Sequence, residues 1–278
     1  MLATYFSELP VWLPIILFFI FGTALGSFLN VLIWRLPREE SILGRSHCPH
    51  CGHKLVWHDL IPVLSILFQR ARCKYCSKPI SLRYPLIEVL VGFLFAAAWW
   101  VFPVTDFVTF ISFIKAIIII AICVTVFIVD LEHYLILDRV VFPGMALMIL
   151  LSVLSDIFLG GFSTTLSSLA SAAVVFIPFW LMWYGSKWFS GKTGQWMGLG
   201  DVKFVIFMGF ALGFPSIAVA LFLSFTIGAF VGVLLILIGK KQLGSKIPFG
   251  TFLSTATVIA LFFGPSLWEF YWQLFSVV

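Results

Sequence analysis

Long apolar runs recur along this chain, and short polar segments separate them. A membrane-spanning helix needs about 20 mainly apolar residues, because hydrocarbon satisfies no unpaired backbone group. The pattern predicts eight such helices, at roughly 11–34, 85–103, 107–129, 140–159, 164–184, 203–214, 217–239 and 251–270. The sixth is short and interrupted around Gly213 and Pro215, so it is expected to tilt or to form only part of a span. The first run has no basic residue before Arg35 and is not expected to act as a cleavable signal peptide. The division expected is a first transmembrane helix over 1–34, a polar loop over 35–84, and a helical bundle over 85–278. No internal repeat or low-complexity stretch interrupts this plan.

Composition agrees with a lipid solvent. Of 278 residues, 62% are hydrophobic and 10% charged, whereas a soluble domain carries roughly 25% charged residues. Thirty-two Phe and eleven Trp add to the signal, since aromatic rings suit the bilayer and its interfaces. The charges also give an orientation. With eight spans and the N-terminus outside, one face receives 35–84, 130–139, 185–202 and 240–250. These segments and the adjoining helix ends hold every Lys and Arg except Lys115. Basic residues stay on the cytoplasmic side, so both termini are expected outside, and Lys115 is expected to snorkel toward the outer interface. The net charge of +5 then reads as topology, with no nucleic-acid partner expected and the lipid bilayer as the surroundings.

The polar loop contains Cys48-Pro-His-Cys51 and Cys73-Lys-Tyr-Cys76. Two CxxC turns can deliver four thiolates to one tetrahedral zinc ion. The twenty-one residues between the pairs slightly exceed the usual separation. Two disulfides are the alternative, although a cytoplasmic loop keeps its thiols reduced. Four protein ligands leave no open position, so such a site would be structural. His47, His50, His53 and His58 are surplus loop histidines or substitute ligands, and Cys123 reads as a packing residue within a span. The fold expected is therefore an all-α membrane protein, a bundle of about eight transmembrane helices with a cytoplasmic zinc-ribbon-like loop.

Acidic residues on spans need a reason, because an Asp at mid-bilayer costs roughly 2.5–3.5 kcal/mol. Asp130 closes the third span and Asp201 opens the sixth in Gly198-Leu-Gly-Asp201-Val-Lys203. Both fall on the basic side at similar depth. Gly198 and Gly200 remove side chains beside Asp201, which would let an extended substrate backbone approach. Asp201 could equally be a helix cap. If the two carboxyls share a water, they cannot both ionise cheaply, and one keeps a proton while the other activates the water. Such a pair can hydrolyse an amide without a metal. The chain holds no GxSxG elbow, HExxH helix or P-loop as a rival.

Further blocks carry a family resemblance. They are Gly26-Ser-Phe-Leu-Asn-Val-Leu-Ile-Trp-Arg-Leu-Pro37, the paired CxxC turns, His58-Asp-Leu-Ile-Pro-Val-Leu-Ser65 and Arg83-Tyr-Pro-Leu-Ile-Glu88. With Asp130 to Asp138 and Gly198 to Lys203, they resemble bacterial type IV prepilin peptidases, the last segment matching that family's GxGD signature. The resemblance implies Asp130 and Asp201 as the catalytic pair, with Gly198, Gly200, Lys203 and Asp138 as active-site support. It implies removal of a short basic leader from prepilin or pseudopilin precursors at the cytoplasmic face of the bacterial inner membrane. It also implies N-methylation of the new N-terminus with S-adenosylmethionine. Two positions depart from the pattern. Leu137 stands where the family usually has Pro, and Leu60 where it commonly has Asn.

Two other readings share these acids. An intramembrane GxGD protease would cut within spans, which the polar loop disfavours. An ion-coupled transporter would use Asp130 and Asp201 as cation sites, but would place its acids near mid-membrane and often show inverted repeats.

Overall fold

The computed structural model describes residues 10, 12–189, 197–242 and 245–275, so Lys192 of the expected basic face lies outside the described residues. Eight long helices form: α1 (Trp12–Arg35), α2 (Arg83–Val101), α3 (Phe107–His133), α4 (Asp138–Leu159), α5 (Ser163–Phe189), α6 (Leu199–Leu212), α7 (Ser216–Leu237) and α8 (Phe249–Phe275). Each coincides with one of the eight apolar runs. Seven are long and apolar enough to cross a membrane, and α6 is the exception.

Compactness divides the chain within α3, into units of residues 1–113 and 114–278. In the first unit α1 and α2 pair along their lengths. A Cβ on Gly22 would lie 2.8 Å from the Gly92 Cα, so the two backbones nearly touch there. Small residues permit this closeness, which supplies packing where lipid offers no hydrophobic drive. The last residue of α1 organises the polar loop. Arg35 is 7% exposed, and its guanidinium donates to the carbonyls of Ser41, Ile42, Leu43 and Arg45 at 3.1–3.3 Å. It thereby pins the start of that loop to a helix end.

In the second unit α6 is the hub, packing against α4, α5, α7 and α8. Its Phe204, Val205, Phe207 and Met208 are wholly buried. At 1.5 Å per residue, its 14 residues reach about 21 Å. A helix enclosed by protein need not match the hydrocarbon thickness, because its neighbours replace lipid. Gly213, at φ +64°, ends it, as the sequence interruption suggested. A Cβ on Gly209 would lie 2.5 Å from the Ala172 Cα, which marks a backbone-to-backbone crossing of α5 and α6. Cys123 belongs to the apolar core with Ile119, Val126, Met148 and Leu253.

Lys115 departs from expectation. Its Nζ donates to Ser152 Oγ at 2.9 Å, near the carboxylate of Asp156. Asp156 in turn accepts the N–H groups of Thr164 and Thr165 at 3.0 and 2.8 Å, capping α5. A buried carboxylate and hydroxyl offer the ammonium partners, so it turns inward instead of snorkelling.

Candidate active site

The ends of α3, α6 and α8 converge in the second unit. Asp130 lies one turn before the end of α3 and is 5% exposed. Its Oδ2 accepts the backbone N–H of Thr251, in the first turn of α8, at 3.0 Å. The unpaired N–H groups of a helix N-terminus make a natural seat for a carboxylate. Asp201 stands in the first turn of α6, and its Oδ2 accepts the Gly198 N–H at 3.2 Å. That contact is the capping role open to Asp201 from sequence. A cap alone, however, does not bring a second acid. The carboxyls of Asp130 and Asp201 lie close enough for their charges to interact directly. Among the described residues Asp201 is held by the Gly198 N–H, and Asp130 by the N–H groups of Thr251 and Gly250 at the start of α8.

The loop between α3 and α4 closes this arrangement. Tyr134 takes a left-handed conformation, φ +55°, and its N–H returns to the Asp130 carbonyl at 2.9 Å. Non-glycine residues adopt this region rarely. The turn directs Ile136 back over the acids. Ideal Cβ atoms on Gly200 and Gly250 would lie 2.9 and 3.0 Å from the Ile136 side chain. The space above Gly200 is therefore filled by Ile136, where the sequence suggested an approaching substrate backbone. A Cβ on Gly198 would lie 3.3 Å from the Asp201 carboxylate, so this glycine makes room for the acid itself.

Asp138 and Lys203 form a bidentate ion pair, with both carboxylate oxygens 2.8 Å from Nζ. It joins the start of α4 to the first turns of α6, two residues beyond Asp201. Leu137, which precedes Asp138, has φ −83° and ψ 118°. These angles lie close to those of proline, so leucine holds the shape that the family usually obtains from a ring. Glu132 Oε2 and His133 Nε2 lie 4.0 Å apart at the end of α3.

Three site-forming residues escaped the sequence reading: Ile136, Gly250 and Thr251. The available signal was Pro248-Phe-Gly-Thr251, a proline and glycine opening a helix beside the basic face.

In the first unit the two CxxC turns are near copies. Cys48 N–H donates to the His53 carbonyl and Gly52 N–H to the Cys48 carbonyl, both at 2.9 Å. Cys73 pairs with Lys78, and Ser77 with Cys73, at 2.8 Å each. Gly52 and Ser77 occupy the same place in each turn with φ +70° and +59°. The result gathers the sulfurs of Cys48, Cys51, Cys73 and Cys76 within 4.8 Å of one another. Cys48 and Cys76 lie 3.9 Å apart, far beyond a disulfide bond of ~2.05 Å. A tetrahedron of zinc–sulfur bonds near 2.3 Å has edges of roughly 3.8 Å, so the donor set fits such an ion.

The electrostatics point the same way. Burial raises the Cys48 thiol, but the N–H groups of Cys51 and His50 and the thiols of Cys73 and Cys51 outweigh it, bringing it down to about 7. At Cys76 the Lys78 N–H lowers the thiol, yet burial and the other three cysteines push it up to about 11. One thiolate forms readily and the last resists, as expected where a cation is needed to hold four together. Two of the four loop histidines are engaged elsewhere: His53 stacks on Tyr75 at 3.6 Å, and His58 Nε2 is 3.6 Å from Asp59.

Two family models match consecutive parts of the chain. Residues 20–102 match the Bacterial Peptidase A24 N-terminal domain, and residues 117–233 match the Type IV leader peptidase family. A prepilin leader peptidase/N-methyltransferase of Aeromonas hydrophila is 33% identical over 94% of both chains. A protein of that name from Bacillus subtilis is 32% identical over 91% of this chain and 96% of its own. One from Myxococcus xanthus is 38% identical over 79% of this chain and 62% of its own. No solved structure matches. Similarity at this level over nearly the whole length makes the chain a member of the type IV leader peptidase family.

Proposed function

We propose that the protein is a membrane aspartyl endopeptidase that removes the basic leader from prepilin-like precursors, using Asp130 and Asp201. The observation that carries this reading is the meeting of these two acids at helix ends, each anchored by backbone N–H groups of a helix N-terminus. A carboxylate and a carboxylic acid facing one water supply a base to deprotonate it and an acid to protonate the departing amine. The proton belongs to the pair, so neither residue is assigned one role. Lys203 and Asp138 hold the start of α6 in register with the loop before α4, and Gly198 and Gly200 keep room beside Asp201. Cys48, Cys51, Cys73 and Cys76 hold a structural zinc ion.

The charge asymmetry supports a multi-pass protein of the bacterial inner membrane, with both termini outside and the acids at the cytoplasmic face. A pilin-like precursor joins a basic leader to an apolar helix. The helix can lie in the bilayer while its leader stays in water, which puts the cut at the depth of the acids. The relatives are named N-methyltransferases as well, and the reading extends to N-methylation of the new N-terminus with S-adenosylmethionine as the donor. The test is incubation of the purified protein with a prepilin and S-adenosylmethionine, followed by mass spectrometry of the mature N-terminus. A shortened, methylated product is expected. Asp130→Asn and Asp201→Asn should each yield uncut precursor while remaining folded, and normal cutting by either would defeat the reading.

A further inference from the structure

The segment between the two CxxC turns carries an apolar surface that the cleavage site does not use. It holds a short helix, Leu64–Phe68. Ser65, Ile66 and Gln69 face inward, toward a cavity beside α1. Leu64, Leu67 and Phe68, spaced i, i+3 and i+4, form an outer stripe, and Phe68 is 85% exposed. An exposed apolar stripe on a polar loop marks a contact surface. The backbone fixes it in place. Val63, just before the helix, has φ +62°, and Arg70 and Ala71, just after it, have φ +52° and +55°. A β-branched residue rarely adopts positive φ, and here the buried Glu88 carboxylate accepts the Val63 N–H at 2.8 Å. At the other end the Ala71 N–H donates to the Ile66 carbonyl at 2.9 Å. Such conformations persist only where the surroundings enforce them, so the stripe is a built surface.

Its neighbour shows what covers it. Leu67 shares a shallow cleft with Leu82 and Pro85 at the start of α2. From there Leu82, Leu86, Leu90 and Phe93 run along one exposed side of α2 at helical spacing. That helix is long and apolar enough to cross the bilayer, so this side meets acyl chains. The stripe of the short helix continues it past the helix end. Beside the stripe stand Arg70 and Arg72, both exposed, at the level where a bilayer presents its phosphates. A second protein seated here would have to displace lipid from the end of α2. We infer that Leu64, Leu67 and Phe68 insert into the boundary between headgroups and acyl chains of the bilayer that α2 crosses, with Arg70 and Arg72 on anionic phospholipid headgroups. The tetracysteine loop is then seated on the membrane by its own side chains. This goes beyond the proposed function, since neither leader removal nor methylation presupposes it.

The test uses the full-length chain in lipid nanodiscs, with a solvatochromic fluorescent amino acid in place of Phe68 and, in a second protein, of Leu64. Gel filtration of each reports the fold. The same label in place of Lys54, exposed beside the first CxxC turn, is the reference in water. Emission from positions 68 and 64 should be blue-shifted from that at 54 and quenched by phospholipid brominated on its acyl chains. Brominated phosphatidylglycerol diluted into phosphatidylcholine should quench more than brominated phosphatidylcholine at the same fraction. That preference should fall roughly fivefold for each arginine replaced in Arg70→Gln and Arg72→Gln. Blue-shifted emission that brominated lipid leaves unquenched would reveal a protein cover, from the rest of the chain or from a second copy, and would overturn the inference. Emission at 64 and 68 matching that at 54 would overturn it as well. Equal quenching by the two headgroups would overturn the assignment of Arg70 and Arg72.

Discussion

The Asp138 carboxylate grips the Lys203 ammonium through both oxygens at 2.8 Å, tying the first residue of α4 to α6 just beyond Asp201. Asp138 and Lys203 remain partly exposed, with side chains 52% and 25% accessible. A pair of this kind contributes only about 0–1 kcal/mol to stability. Its greater consequence is positional. Lys203→Met should leave the thermal midpoint nearly unchanged yet slow cleavage roughly tenfold to a hundredfold, since small displacements of reacting groups are costly. Cleavage kinetics beside thermal unfolding in detergent check this. A large loss of stability with normal turnover of the folded fraction would count against it.

Gly250→Ala is expected to abolish most cleavage. The added Cβ would lie 2.8 Å from Asp130 Oδ2 and 3.0 Å from the end of Ile136, so the carboxyl has to move. Gly200→Ala should also impair turnover, because its Cβ would stand 2.9 Å from the Ile136 Cβ. Gly185→Ala meets nothing within 4 Å and should retain full activity. Comparing the three for membrane insertion and initial rate separates crowding at the site from a general intolerance of alanine.

Metal analysis of the purified chain should find about one zinc ion per molecule, lost in Cys48→Ser and Cys73→Ser. Binding requires thiolates. With Cys76 held up at about 11, its proton is still present at neutral pH and must leave when metal binds. With Cys48 brought down to about 7, acidification below that value protonates this ligand as well. Affinity should therefore fall as the pH drops from 8 to 6, with more protons released per ion at the lower pH. Calorimetry in buffers of different ionisation heats would show it. A pH-independent affinity would argue against thiolate coordination.

Gly209→Ala should destabilise the second unit by about 1–3 kcal/mol, the usual penalty of overpacking. Its Cβ would lie 2.5 Å from the Ala172 Cα, backbone that has no rotamer with which to yield. Denaturation in mixed micelles reports the loss, and activity per folded molecule should change much less.

The helices were legible because the bilayer imposes one rule on every segment, and apolar length alone reveals it. All eight runs became helices with ends within a few residues of expectation. The CxxC spacing likewise announced its cluster, since each tight turn carries two sulfurs on local geometry. Asp130 and Asp201 were visible as acids that apolar spans do not hold without cause.

Their meeting was a different matter. They stand seventy-one positions apart, and no local preference encodes a contact over that distance. It arises because α6 is enclosed by four helices, which sets its N-terminus beside the ends of α3 and α8. The same holds for Ile136, which packs over Gly200 and Gly250 only after a left-handed turn at Tyr134, and for Lys115, which finds Ser152 inside the unit. Sequence determined the solvent, the elements and the reactive groups, because each is a property of a segment. Tertiary structure decided which groups touch, because close packing lets a side chain occupy only the space that distant segments leave open.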